Sequence, residues 1–237
     1  MHVDRDTRVR DIALASPRAI ELLESWGIDY ACHGEEPLGR ACAAASIGVD
    51  SVVPRLASAI DATPAETGPD WRVASIIELV DHIVSDLHVA TKIALSDAGD
   101  LVMHCAREQG SAASLRSLFQ DLAGAAGALM AHEEEVVFAR IRALATARYG
   151  KGAFPDPSFG KLMPHLVALR ETQAHVHELM RRVRAAADAV LGPQPEHRAL
   201  SDALRTVEQC LHRQMHLENN ILLPRALLLE PVPIYAD

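Results

Sequence analysis

The segment His212-Arg213-Gln214-Met215-His216-Leu217-Glu218-Asn219-Asn220-Ile221-Leu222-Leu223-Pro224-Arg225 decides how this chain folds. Val207, Leu211, Met215, Ile221 and Leu222 recur at helical spacing and form an apolar face, and Pro224 is expected to stop the helix. One carboxylate, Glu218, interrupts that face. A buried carboxylate is costly unless it is paired or binds a metal, so Glu218 is the first candidate for a site.

Outward from this helix, the 237 residues suffice for one large domain, or for a medium and a small one. With 49% hydrophobic and 23% charged residues the chain is globular. A net charge of −9 without a Lys/Arg cluster excludes a nucleic-acid or anionic-membrane surface. The start, MHVDRDTRVRD, has no apolar signal region and no apolar run reaches about 18 residues, so a cytoplasmic protein is expected. Cys32, Cys42, Cys105 and Cys210 lack CxxC spacing and are expected to be free thiols.

Residues 1–60 read as a small domain of short helices, with Val9, Ile12, Ala13, Ile20, Leu22 and Leu23 in one pattern and Leu38, Val52, Val53, Leu56 and Ile60 in another. A loop carrying Cys32 and His33 lies between them. The polar, Pro-containing stretch 61–71 reads as a linker, and 72–237 as the main domain. That domain shows four long helical patterns, at roughly 76–96, 111–147, 159–191 and 196–223, divided by Gly110, by Gly152, Pro155 and Pro157, and by Gly192-Pro193. No stretch alternates with period two. An all-α, antiparallel four-helix bundle is therefore expected.

Each pattern has polar residues in its apolar stripe: His88; Glu133 beside His132; Gln173 with His177 one turn on; and Gln214 with Glu218. Bundles build metal sites from facing imidazoles and carboxylates. The plainer alternative is a hydrogen-bonded polar layer in the core.

The motifs LENNILLPRAL (217–227), IDYACHGEEPL (28–38) and VDHIVSDLH (80–88) resemble those of the bacterial repair-of-iron-centres proteins, over essentially the whole chain. The resemblance implies a Cys-loop helical domain followed by a haemerythrin-like di-iron bundle. It also implies a role in restoring iron–sulfur clusters damaged by nitric oxide or oxidants. Carried over by motif, His88, Glu133 and Glu218 match metal ligands, whereas Leu129, Gln173 and Gln214 stand where the family has histidine. The family's Cys-Cys pair falls on Ala31 and Cys32. Cys32 remains a candidate for contacting a metal, nitric oxide or a partner, with His33 expected to favour its thiolate.

Two consequences of this departure compete. His132 and His177 supplement a shifted di-iron site, or the site holds a single weakly bound metal or none; manganese is an alternative to iron. The leading expectation is a cytoplasmic iron-binding protein acting in nitrosative or oxidative stress. Its partners would be damaged iron–sulfur proteins, with NO or O2 as small ligands. Oligomeric state stays open, a homodimer included. Competing functions are a di-metal carboxylate oxidase or oxygenase that activates O2 on a small organic substrate, and a metal-deficient sensing or binding module.

Overall fold

The computed structural model describes residues 1–62, 69–108, 113–150, 161–190 and 195–230. The Pro-containing stretch 63–68 and the expected breaks at Gly110, Gly152, Pro155, Pro157 and Gly192-Pro193 lie outside them. Among the described residues the fold is all-α: one isolated bridge, Arg8 to Pro37, is the only extended pairing. No helix among them is long and apolar enough to cross a membrane. Contacts divide the chain into Met1–Ala74 with the turn Met215–Ile221, and Ser75–Gln214 with Leu222–Asp237.

The first unit carries α1 (Val9–Ala15), α2 (Pro17–Ser25), α3 (Leu38–Ala44) and α4 (Val49–Asp61). Ser16 caps α2, its hydroxyl accepting from the amides of Arg18 and Ala19, and Pro17 takes the first helical position, where no N–H is needed. Gly27, at φ +67, ends α2 in the left-handed conformation that glycine adopts without a Cβ penalty. Val9, Ile12, Leu23, Tyr30, Leu38, Val52 and Leu56 close a small core. Gly34 is a close-approach residue: a Cβ there would lie 2.8 Å from the Tyr30 carbonyl and 2.9 Å from Asn220 Oδ1.

The rest of the chain forms an antiparallel four-helix bundle of α5 (76–108), α6 (113–148), α7 (Leu162–Val190) and α8 (195–227), the segment Met215–Ile221 of α8 grouping with the first unit. Ser75 and Glu78 open α5 with a capping box. The helical stripes of α7 and α8 are buried: Leu162, Leu166, Leu169, Gln173, Val176, Met180 and Val183 on the one, and Leu200, Leu204, Val207, Leu211, Gln214, Glu218 and Leu222 on the other. Two expectations fail. The first helix runs on to Glu108, well past 96. Pro224 does not stop the last helix, which continues through Leu223–Leu227: the proline sits in the first turn of that renewed α segment, where its missing N–H costs nothing.

Candidate metal centre

Three bundle helices change from α to π geometry where their ionisable residue sits. The π turn of α5 is Ile83–His88 and ends on His88. That of α6 is Glu133–Phe138 and that of α8 is Glu218–Leu222, each beginning on the glutamate. Helix α7 stays α-helical through Gln173. A π turn holds one extra residue, so inward positions stand five apart: Ile83 with His88, and Glu133 with Phe138, all buried. Such turns recur at functional sites.

His88, Glu133 and Glu218 are fully buried, and one ligand atom from each lies within 4.8 Å of the others. His88 Nε2 is 3.3 Å from Glu133 Oε2. The opposite ring nitrogen, Nδ1, is 2.8 Å from Glu134 Oε1, which Lys92 Nζ also reaches at 3.2 Å. Partial burial raises the Glu134 carboxyl, but the hydrogen bonds from His88 and Lys92 outweigh it and hold the group below the usual glutamate range. Phe138 stacks on the imidazole with centroids 5.9 Å apart. Gln214 donates from Nε2 to Glu133 Oε2 at 3.0 Å. Its Oε1 is turned toward the Thr91 hydroxyl, 3.5 Å away, which itself donates to the Leu87 carbonyl at 2.8 Å.

One imidazole nitrogen with two carboxylates is a donor set suited to iron(II) or manganese(II) rather than to metals that prefer thiolate. Two buried carboxylates also call for a compensating cation, and donation from His88 Nδ1 to Glu134 leaves Nε2 directed at the carboxylates. The residues present therefore fit a bound divalent ion.

Not every expected residue arrives. His132 is exposed, because a residue next to Glu133 points about 100° around the helix. His177 is half-buried and stacks on His212, with centroids 5.6 Å apart, while Val176 and Met180 continue the buried stripe beyond Gln173. Neither joins the buried group among the described residues. His82 pairs with Asp86 at 2.6 Å on its own helix. Leu129 and Gln173 are buried.

In the first unit, Cys32 Sγ lies 3.7 Å from Met215 Sδ. Burial first, then the charges of Asp29 and Glu218, push its thiol up to about 12. Burial thus works against a thiolate here, and His33 engages Asp29 at 2.7 Å. Asn219 donates to the Ala31 carbonyl at 3.1 Å and Asn220 to the Tyr30 carbonyl at 2.9 Å, which gives the Glu-Asn-Asn run a structural use beside its carboxylate. Burial takes His216 down to about 4, so its ring is neutral and accepts from the Asn220 amide at 2.8 Å.

Sequence reasoning missed Glu134 and Lys92. The available signal was the Glu133-Glu134 pair itself, since only one of two adjacent carboxylates can take the inward position and the other is left beside it.

Residues 5–60 match the ScdA_N family, described as a domain of unknown function (DUF542). The chain is 26% identical to the iron-sulfur cluster repair protein YtfE of Citrobacter koseri, over 94% of this chain and 97% of that protein. It is 27% identical to the protein of the same name from Escherichia coli O81, and 26% identical to that from Escherichia fergusonii, with the same coverage. Residues 5–60 thus match the ScdA_N model, and the chain is similar, along nearly its whole length, to proteins named for iron–sulfur cluster repair.

Proposed function

We propose that this chain is an iron-binding protein that helps restore damaged iron–sulfur clusters, with His88, Glu133 and Glu218 holding the metal in the bundle. The observation that carries the reading is the near end-to-end likeness to proteins named for that repair, combined with a buried imidazole–dicarboxylate group in a chain otherwise packed with apolar side chains. In this reading residues 1–60 form an N-terminal domain, 61–71 a linker and 72–237 the metal-binding bundle. The setting is the cytoplasm under nitrosative or oxidative stress, and the partners are iron–sulfur proteins that have lost or altered their clusters.

Iron held here would supply a redox-active Lewis acid. The protein's own residues do the rest. Glu134, tied to Lys92, fixes the His88 ring and its tautomer. Gln214 holds Glu133 Oε2 in place. The apolar walls, with Phe138 on the His88 ring, keep bulk water from the centre.

The test is reactivation of an iron–sulfur hydratase inactivated by nitric oxide, using the iron-loaded protein against an equal amount of free ferrous salt. Faster reactivation by the protein, lost in Glu133→Ala, is expected. Equal rates with protein and salt would contradict the repair role.

A further inference from the structure

We infer that the bundle centre holds one divalent cation rather than a pair. The inference rests on the metal-binding reading above and specifies its stoichiometry.

The donors set the number. Ferritin-like carboxylate bundles that hold two metals draw on four carboxylates and two imidazoles from their facing helices. Here the buried group contributes His88, Glu133 and Glu218, half of that set. Among the described residues, the other polar side chains buried in the bundle helices are Thr91, Gln173 and Gln214, which are neutral, and His216, whose Nδ1 is taken up by the Asn220 amide. Gln214 is already committed: its amide nitrogen binds Glu133 Oε2 and its oxygen faces Thr91. One turn before Glu133 the inward position is Leu129, a side chain with no donor atom, buried at 1% exposure. Helix α7 packs against the π turn of α6, and among the described residues its one buried polar side chain is Gln173.

Charge agrees with the donor count. Two carboxylates and a neutral imidazole balance one divalent ion, whereas a second ion would leave two uncompensated positive charges among fully buried groups. Leu129, Gln173 and Gln214 thus give the bundle centre a wall without anionic or imidazole donors.

Anaerobic titration of the full-length protein with ferrous iron, followed by desalting and elemental analysis, reads the stoichiometry directly. One equivalent per chain is expected, with Mn(II) substitution giving the six-line paramagnetic resonance of an isolated ion. Two equivalents, or the spectrum of a coupled pair, would overturn the inference while leaving iron binding intact. No bound metal would overturn both. The variant Leu129→His with Gln173→His restores donors to the wall and is expected to raise the count toward two. A count that stays at one would show that these residues are not what limits it.

Discussion

His88 Nδ1 lies 2.8 Å from Glu134 Oε1, on the side of the ring away from Glu133. The glutamate determines which nitrogen of the imidazole carries the proton, leaving Nε2 to face the buried carboxylates. Removing such a partner typically weakens metal affinity by about 10- to 100-fold. Glu134→Ala is expected to fall in that range in a competition assay with a ferrous chelator. Glu134→Gln, which keeps an accepting oxygen, should lose less. Unchanged affinity in Glu134→Ala would remove the positioning role.

Cys32 should be a sluggish nucleophile. With its thiol pushed from 9.0 up to about 12, first by burial and then by Asp29 and Glu218, the native protein holds the sulfur protonated at neutral pH. Alkylation by iodoacetamide at pH 7.5 is expected to be at least about tenfold slower for Cys32 in the folded protein than in denaturant. Asp29→Asn should speed it by removing one of the two charges. The sign for stability follows: the folded state keeps the thiol proton to higher pH than the unfolded state, so this contribution is complete below pH 9.0 and is lost as pH rises toward about 12. Rapid native labelling of Cys32 at pH 7.5 would refute this description of the loop.

Gly34 should not tolerate a side chain. Its missing Cβ would stand within 2.9 Å of Tyr30 O, Arg10 Cβ and Asn220 Oδ1, two backbone or polar neighbours and a rigid Cβ. Gly34→Ala is expected to cost about 1–3 kcal/mol of unfolding free energy, measured by urea denaturation. A midpoint equal to that of the parent protein would mean the loop yields freely.

Much of the bundle was legible because α7 and α8 obey a 3.6-residue period, and their expected stripes are the buried ones. The same template misplaced the start of α5. Counting back from His88 in steps of a regular helix points Val84 and Ile77 inward, but Ile83 and Ile76 are the buried residues, since the π turn Ile83–His88 inserts one residue. Regular periodicity has no means of registering that insertion. His88, Glu133 and Glu218 were legible as polar residues on apolar stripes, and the structure brings them together. His132 and His177 illustrate the limit: proximity in sequence to an inward residue says little about direction, which a helix changes by about 100° per residue. The role of Glu134 depends on a contact between residues 46 positions apart, which spacing along one helix does not encode.

The most direct test of the buried centre is the iron content of the parent protein beside Glu133→Ala with Glu218→Ala, both loaded anaerobically, desalted and checked for helicity by circular dichroism. About one iron per chain in the parent and less than about a tenth of that in a still-helical double variant is the result expected when both carboxylates ligate the ion. Equal iron in the two proteins would contradict a metal centre built on Glu133 and Glu218.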